Sequence, residues 1–364
     1  MTSSPDSEHL RASLALSCVP GIGAVRFKEL VERYGSASAA WQQTVADSDR
    51  SKALADADRI LDDASRCRAR LLVLGEVGYP GQLLDLHDPP PWLFCIGASS
   101  AVDLKLVAIV GTRHASVTGL RVAHRLAAGL ARADVATVSG MARGIDTAVH
   151  WGSLEGGAAT IAVLGCGVDV AYPAANAELR EAIAQGGSLL SEAPCGSTPH
   201  PGAFPRRNRL IAALARAVVV VEAGERSGAL ITAELAAELG RPVGAVPGAV
   251  DSPRCRGSNR LLRDGAHVVL DYEDIVALLG SESGDAGSAG SLVDQLPSCS
   301  GLSPVDSSLQ ERVLGALAAG ATETDAILEV SGLSPAELAM TLAVLEAAGT
   351  VCRDSSGAIT LGMH

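Results

Sequence analysis

Residues 107–146, VAIVGTRHASVTGLRVAHRLAAGLARADVATVSGMARGID, alternate the signals of strands and helices and decide the fold. Residues 107–110 form a short apolar run of mostly β-branched side chains, which is typical of a buried parallel strand. A polar turn follows, and apolar residues then recur at helical spacing from Leu120 to Leu130. Residues 135–138 predict the next strand, with a second helix beginning near Gly144. The stretch therefore predicts two strand–helix units of a parallel sheet.

Each of these two units carries an arginine in its turn, Arg113 in the first and Arg143 in the second. A helix N-terminus presents free backbone N–H groups and the positive end of the helix dipole, so it favours anions such as phosphate. The two turns together predict a seat for a phosphate-bearing partner. The alternative is that the glycines only make tight turns and that the arginines are solvated.

The same alternation continues to residue 279. Strands are predicted at residues 160–164, 188–191, 217–221, 243–246 and 267–270, and helices at residues 176–184, 228–239, 258–264 and 272–279. This period is typical of the α/β class with a doubly wound parallel sheet. Ligands of such sheets bind outside the carboxyl ends of the strands. We therefore expect the glycine- and arginine-bearing turns to converge on one edge.

The segment before this core predicts helices up to about residue 75. Two helices flank residues 20–23 and look like a helix–hairpin–helix, whose amides can hold a DNA phosphate. Because the segment is acidic, we expect a purely structural hairpin. A proline-rich passage follows, and its triple proline, residues 89–91, cannot continue a helix or a central strand. We place a domain boundary near residue 100.

The C-terminal part predicts a linker and a small module. Residues 280–304 are rich in Gly and Ser, which is typical of a flexible linker. Residues 305–364 show helical patterns at 309–319, 323–331 and 335–348 and a hairpin at 351–361 that turns at 354–357, the pattern of a winged helix. The third helix carries Glu337 and Glu346 and no Lys or Arg. Since a major-groove reader neutralises phosphates with basic residues, we expect this module to bind protein rather than DNA.

Composition limits the class of protein. The chain has 364 residues, 48% of them hydrophobic, and no apolar run of membrane-spanning length. Its N-terminus is polar and acidic, unlike a signal peptide, so we expect a cytoplasmic protein without membrane contact. The eight cysteines are scattered singly without CxxC or Cys/His clusters, which predicts reduced thiols and no metal site.

The net charge of −12 is unevenly distributed. Residues 1–104 carry −4 and residues 276–364 carry −9, whereas residues 105–275 carry +1. The acidity therefore lies at the two ends, and only local arginine clusters in the middle are expected to bind a polyanion.

We find no catalytic constellation in the sequence, which has no nucleophile elbow, HExxH motif or P-loop. Glu192 and Glu222 follow predicted strands, and we expect both to form structural ion pairs with nearby arginines. The alternative is a Rossmann-like enzyme that binds or hydrolyses a nucleotide-derived small molecule, with Glu222 and Glu234 as its candidate groups.

Seven motifs follow one another across the core, the first two of them within or overlapping residues 107–146. They are AIVGTRHAS (108–116), VSGMARGIDTAVH (138–150), TIAVLGCGVDVAYP (160–173), LLSEAPCG (189–196), FPRRNRLIA (204–212), VVVVEAGERSGALITAELAAELGRPVGAVPG (218–248) and GSNRLLRDGA (257–266). On these motifs the chain resembles the DNA-processing protein A family (DprA, also called Smf). The motifs cover nearly all of residues 107–270.

The resemblance implies a layout and a function. It implies a helical N-terminal domain of the helix–hairpin–helix or SAM-like kind (1–100), a Rossmann-like core that binds single-stranded DNA (101–279), the linker (280–304) and a winged-helix, DML1-like domain (305–364). Family members protect incoming single-stranded DNA in natural transformation and load the RecA recombinase onto it. They are homodimers through the late part of the core, here roughly residues 228–277. The resemblance implies neither an enzyme nor a cofactor.

The resemblance also implies a set of DNA-binding residues at three turns. They are Gly111, Thr112, Arg113 and Ser116; Ser139, Gly140, Arg143 and Gly144; and Phe204, Arg206, Arg207, Asn208 and Arg209. Some members place a DNA-facing lysine three residues before the phenylalanine, whereas this chain has Pro201 there, with His200 beside it. Because the only lysines are Lys28, Lys52 and Lys105, contacts of that kind must come from arginine.

The chemistry of Phe204 fits this expectation. Binding single-stranded DNA without sequence preference requires a cationic groove and an aromatic platform on which bases stack. Only 3% of the residues are aromatic, yet Phe204 stands two residues before Arg206. The alternative is a core phenylalanine at the start of a helix, with Pro205 in its first turn. Asn208 and Arg209 have a structural alternative too, as residues that hold the helix start against the edge.

Overall fold

The computed structural model of the chain describes residues 5–280, 307–319, 321–322, 324–334, 337–338, 341–342, 345, 350–353 and 359–361. The predicted linker after residue 280 lies outside the described residues, as do the hairpin turn at 354–357 and much of the third helix predicted in the tail. The chain forms two compact units, Met1–Gly284 and Asp285–His364.

Four helices open the first unit: α1 (Pro5–Ser17), α2 (Ala24–Tyr34), α3 (Ala37–Thr44) and α4 (Asp47–Arg66). They pack around the fully buried Leu14 and Phe27 and the nearly buried Trp41. The helical pattern that we expected up to residue 75 ends earlier, because residues 70–73 form a strand. The apolar residues Leu72 and Val73 are buried there as members of a sheet rather than of a helix face.

Nine strands form one sheet. They are β1 (Arg70–Val73), β2 (Trp92–Gly97), β3 (Leu106–Val110), β4 (Ala136–Ser139), β5 (Thr160–Val163), β6 (Ser188–Ser191), β7 (Ala217–Val220), β8 (Val243–Ala245) and β9 (His267–Val268). Their order is β1-β2-β6-β5-β4-β3-β7-β8-β9, in which β3 to β9 are parallel and β2 is antiparallel to both of its neighbours, β1 and β6. The predicted α/β class is therefore confirmed. The sheet extends across residue 100, and the domain boundary placed there stays a prediction.

Helices cover both faces of this sheet. They are α5 (Val117–Arg132), α6 (Ile145–Glu155), α7 (Ala177–Gly186), α8 (Ala203–Leu214), α9 (Gly228–Glu238), α10 (Arg256–Arg263) and α11 (Tyr272–Gly280). The sequence of β3 is apolar throughout because both faces of the strand are buried. Leu106, Ala108 and Val110 pack with α8 and α9, whereas Val107 and Ile109 pack with α5 and α6 on the other face. A strand buried on both faces has no polar side to alternate with.

The strand order changes direction at β3. The chain first adds β4, β5 and β6 on one side of β3 and then adds β7, β8 and β9 on the other. At such a switch point the connections leave neighbouring strands toward opposite faces, so a crevice opens outside their carboxyl ends. The fold therefore directs a ligand to the ends of β3 and β7.

The second unit contains α12 (Ser307–Ala318), α13 (Thr324–Ser331) and an antiparallel pair, β10 (Val351–Arg353) and β11 (Ile359–Leu361). Val313, Ile327 and Ile359 are fully buried at its centre. These elements are those of the winged helix predicted for the tail. In the described ranges of both units, no helix combines the length and the apolar character that crossing a membrane requires.

A buried polar network connects α6 to the sheet. His150 Nδ1 lies 2.7 Å from Thr160 Oγ1, which lies 2.8 Å from Thr137 Oγ1, and this hydroxyl lies 2.6 Å from Ser153 Oγ. His150 is fully buried, and its Nε2 has no hydrogen-bond partner among the described residues. Burial, reinforced by the positive charge of Arg207, lowers the pKa of His150 to about 3. The imidazole is therefore neutral in the folded protein.

We expect this histidine to make stability depend on pH. Because the folded pKa lies below the unfolded value of about 6.5, the unfolded chain alone gains a proton as the pH falls from about 6.5 towards about 3. The contribution of the neutral imidazole to the free energy of unfolding is fully present above about pH 6.5. Below that pH it falls by up to about 1.4 kcal/mol per pH unit. Urea unfolding of the wild type and of His150→Gln at several pH values measures the difference in slope.

Ser153→Ala is the matched control for that experiment. It removes a hydroxyl from the same network but no titratable group, so its loss of stability is expected to be the same at every pH. Parallel pH profiles for the wild type and His150→Gln would contradict a neutral, buried imidazole.

Candidate nucleic-acid interface

An open groove of about 810 Å³ lies at the carboxyl ends of β3 and β7, where the strand order changes direction. We call it the rim groove. Its lining comes from the turns after β3 and before α6, the loop after β5, the loop before α8, α8 itself, and the turn between β7 and α9 with the start of α9. Of the predicted DNA-binding residues, those that line it are Gly111, Thr112, Arg113, Phe204, Arg207 and Asn208. The expected convergence of several turns at one edge is therefore present in the structure.

Arg113, Phe204 and Tyr172 form a stack in this groove. The guanidinium carbon of Arg113 lies 4.9 Å from the centre of the Phe204 ring. The Tyr172 ring lies 5.8 Å from the Phe204 ring at an interplanar angle of 30°. Arg113 and Tyr172 are exposed, and Phe204 is only partly buried. The stack offers a cation and two aromatic surfaces to solvent in one place.

Helix α8 positions Phe204, because the helix is anchored by its buried C-terminal half. The helix begins at Ala203, so Phe204 and Pro205 fall in its first turn, where proline is tolerated. The apolar residues Leu210, Ile211 and Leu214 bury the far end of the helix against the sheet. Phe204 is not a member of that core, which argues against the alternative of a core phenylalanine.

Arg207, one turn after Phe204, is buried rather than exposed. It is 5% exposed, and its Nη1 donates a 2.5 Å hydrogen bond to the carbonyl oxygen of Val163. Burial lowers the pKa of its guanidinium, and the nearby carboxylate of Asp146 opposes that effect. A Cβ at Gly140 would overlap this guanidinium, so the glycine makes room for it. Arg207 therefore supports the floor of the groove.

The phosphate seat expected at the two helix N-termini is occupied by the protein's own carboxylates. Asp146, in the first turn of α6, is buried and accepts a 3.2 Å hydrogen bond from Ala142 N in the turn before the helix. Desolvation raises the pKa of Asp146, while the charge of Arg207 and backbone N–H groups act to lower it. The amide of Ile145 donates to the carbonyl oxygen of Thr112. Two amides near the start of α6, those of Ala142 and Ile145, are thus bonded within the protein.

At the N-terminus of α5, the protein's own carboxylate is that of Glu222. Its carboxylate accepts hydrogen bonds from the backbone N–H and the hydroxyl of Ser116, at 2.9 and 2.5 Å. Ser116 in turn caps α5 by accepting from Gly119 N. We expected Glu222 to pair with an arginine; instead it fixes the N-terminus of α5 at the end of β7. A carboxylate suits that place because the helix dipole favours a negative charge there.

Three more predicted residues are held by contacts inside the protein. Arg209 forms an ion pair with Glu192 and donates to the carbonyl oxygen of Asp88 at 2.9 Å, as the structural alternative proposed. Asn208 Nδ2 donates to the carbonyl oxygen of Gly228 at 3.2 Å. Ser139 is fully buried and donates to the carbonyl oxygen of Ile109. Among these three, only Asn208 lines the rim groove.

The remaining predicted residues lie beside the groove. Arg206 is exposed and lines a smaller pocket of about 300 Å³ together with Glu192, whose Oε2 lies 3.8 Å from Arg206 Nε. Arg143 is exposed in the turn before α6. Gly144 has φ +82°, and a Cβ there would meet the backbone of Thr112 and Arg113, so the two turns pack closely. The departure Pro201 lines the rim groove with His200.

The structure adds two residues that the sequence reasoning missed, Arg226 and Tyr172. Arg226 is exposed in the turn after β7 and lines the rim groove. The signal was available, since Arg226 follows a predicted strand as Arg113 does. Tyr172 lies in a long loop after β5, and its contact with Phe204 depends on the tertiary fold.

The two acidic groups considered for an enzyme do not line the groove. Glu222 is committed to the cap of α5, and Glu234 is exposed on α9. Among the described residues, the carboxylate that does line the groove is Asp146, which is buried beside Arg207. The groove therefore presents cations and aromatic rings, and its carboxylate is engaged in the scaffold.

Comparisons with known proteins agree with this chemistry. The family model described as DNA recombination-mediator protein A matches residues 70–280, and a DprA winged helix domain model matches residues 300–357. A putative DNA processing protein DprA of Mycobacterium tuberculosis is 46% identical over 254 residues, which are 69% of this chain and 63% of that relative. The match thus spans less than two thirds of the relative's length. DNA processing protein DprA of Streptococcus pneumoniae is 42% identical over 55% of this chain and 70% of its own.

Two solved structures resemble the fold. DNA processing protein A from Streptococcus pneumoniae matches with a TM-score of 0.63 and 30% identity, covering 76% of this chain and 98% of that one. DNA processing protein A from Helicobacter pylori, described for its unique single-stranded DNA binding mode, matches with a TM-score of 0.53 and 30% identity, covering 59% of this chain and 98% of that one.

Proposed function

This chain belongs to the DNA recombination-mediator protein A family, and we propose that it binds single-stranded DNA, protects incoming strands and loads the RecA recombinase onto them in natural transformation. The observation that carries the DNA-binding part is the exposed stack of Arg113, Phe204 and Tyr172 in the rim groove. Bases of any sequence have a face that stacks on an aromatic ring, and phosphates are neutralised by arginine. The stack supplies both kinds of contact at one point.

We assign different roles to the predicted site residues. Arg113, Arg143, Arg206 and the added Arg226 are exposed, so they are proposed to contact phosphates. Phe204 and Tyr172 are proposed to stack on bases. The backbone of Gly111, Thr112, Gly140 and Gly144 shapes the two turns. Ser116, Ser139, Arg207, Asn208 and Arg209 are proposed to position these groups, because their side chains are bonded within the protein.

A binding role fits the groove better than the alternative of an enzyme acting on a nucleotide. An oligonucleotide needs several separate cationic contacts along an open path. The exposed Arg113 and Arg226 line the open groove, and the exposed Arg206 lines the smaller pocket that shares His200 and Arg207 with it. A mononucleotide enzyme needs a closed pocket with a free acid or base. Glu222, one of its two candidate groups, is hydrogen-bonded to Ser116, and Glu234 does not line the groove.

We predict that Arg113→Ala and Phe204→Ala weaken the binding of labelled oligo-dT in different ways. Loss of Arg113 removes one phosphate contact and should flatten the plot of log K against log salt by about 0.7. Loss of Phe204 removes stacking, which contributes about 1–3 kcal/mol per base and releases no counterions. Phe204→Ala should therefore bind more weakly at an unchanged salt slope. Fluorescence titrations at several salt concentrations measure both quantities.

Two variants control that experiment. Arg113→Lys keeps the charge and should keep the wild-type slope, and Arg59→Ala removes an exposed arginine of α4, outside the groove lining, and should change neither quantity. Normal oligo-dT binding by Arg113→Ala, or a Phe204→Ala chain that is merely unfolded, would remove these roles. Tight binding of dTMP without a salt-dependent oligo-dT affinity would favour the enzyme instead.

Homodimerisation through residues 228–277 is part of the proposal. Strand β9 is the edge of the sheet there. Val268 in this strand is 54% exposed, and Leu270, two residues after it, is 63% exposed. An exposed apolar sheet edge is a ready surface for a second chain. Light scattering at micromolar concentrations is expected to give twice the monomer mass. A monomer mass across that range would exclude the dimer.

The RecA role rests on family membership. We expect the protein to speed the assembly of the host RecA recombinase on DNA that is already coated with single-strand-binding protein. The rate of RecA filament formation, followed with and without this chain, measures the effect. An unchanged rate would leave a single-stranded-DNA-binding protein without the loading function.

A further inference from the structure

Two thiols and a carboxylate meet at one point outside the rim groove. Cys67 stands at the C-terminal end of α4, Asp169 in the loop between β5 and α7, and Cys195 in the loop between β6 and α8. Their ligand atoms, two sulfurs and a carboxylate oxygen, all lie within 4.8 Å of one another. We call these three residues the thiol–carboxylate cluster.

The scaffold fixes the cluster in place. Asp169 Oδ1 accepts a 2.8 Å hydrogen bond from Gly196 N, directly after Cys195. The same two loops are joined again where Gly167 N donates to the carbonyl oxygen of Ser197 at 3.0 Å. Cys195 is 9% exposed and packs with Phe94. The positions of the carboxylate and of one thiol are therefore set before any ligand arrives, and an oriented carboxylate is what a metal site requires.

The cluster has the chemistry of a cation site. Each of its members becomes an anion when it loses a proton. Of the two arginines that flank Cys67, Arg66 forms an ion pair with Asp63 and Arg68 is exposed. Thiolate ligands select soft or borderline cations such as zinc over magnesium or calcium. Zinc holds sulfur at about 2.3 Å and carboxylate oxygen at about 2.0–2.2 Å, so tetrahedral ligands lie roughly 3.5–3.8 Å apart. These separations are shorter than 4.8 Å, the distance within which the three ligand atoms of the cluster lie from one another.

We propose that the thiol–carboxylate cluster binds one Zn²⁺ through Cys67 Sγ, Cys195 Sγ and a carboxylate oxygen of Asp169. Binding releases the two thiol protons to solvent, and water takes the fourth position because Asp169 is exposed. The metal joins the last of the N-terminal helices to the loop that carries Pro199 and His200 into the rim groove. It acts as a structural clamp on that wall, independently of what the groove binds.

Cobalt substitution of the full, untagged and chelator-treated chain tests the site directly. Co²⁺ is expected to give one equivalent of a sulfur-to-cobalt charge-transfer band in the near ultraviolet and tetrahedral d–d bands in the visible. Zn²⁺ should bleach both. A hundredfold excess of Zn²⁺ over its dissociation constant should raise the thermal midpoint by about 5 °C.

Three variants decide the assignment. Cys67→Ser and Asp169→Asn should lose the bands and the thermal shift, and the asparagine keeps the oxygen that accepts from Gly196. Cys18→Ser, a partly buried thiol elsewhere, should keep both. Because Cys67 is only partly buried and Asp169 is exposed, these two variants are expected to fold, which circular dichroism checks. Absence of the bands in the wild type, or their persistence in Cys67→Ser, would overturn the proposal.

Discussion

The site depends on one constraint, the change of direction in the strand order at β3. Crossover connections between parallel strands are right-handed, so helices added on the two sides of β3 cover opposite faces of the sheet. The carboxyl ends of β3 and β7 are left uncovered between them, and the rim groove lies there. The groove is thus a consequence of topology, and the side chains of the adjoining turns determine what it binds.

Some of the charged residues around this opening are bonded within the protein, and others are exposed to solvent. Glu222 accepts a hydrogen bond from the N-cap residue of α5, Asp146 accepts one from the turn before α6, and Arg207 lies buried against Gly140. A buried charge is costly unless it is paired and hydrogen-bonded, so these groups are engaged with the protein itself. The exposed Arg113 and Arg226 are left to meet an anion. A helix N-terminus that already holds a carboxylate is not a phosphate site, although the sequence pattern predicted one there.

The net charge of the whole chain does not predict what the rim groove binds, because acidic and basic residues are concentrated in different parts of the chain. The whole chain carries −12, yet the turns around the rim groove carry exposed arginines. Interactions between exposed charges are screened beyond roughly 10 Å at moderate salt. A ligand in the groove therefore responds to the arginines beside it more than to the acidic ends of the chain. This locality reconciles an acidic protein with the polyanionic partner that we propose for it.

The sequence by itself determined the α/β class, the parallel strands and the edge at which the site lies, because apolar runs and glycine turns are local signals. It also predicted Phe204 and Arg113 as site residues, and the two side chains are in contact in the rim groove. Only the tertiary structure decided that Arg207 and Arg209 are buried while Arg206 is exposed, since neighbouring positions on a helix face different surroundings. The same holds for Cys67, Asp169 and Cys195, which the sequence shows as isolated residues. Contacts between distant segments depend on how loops pack, and no local spacing encodes that.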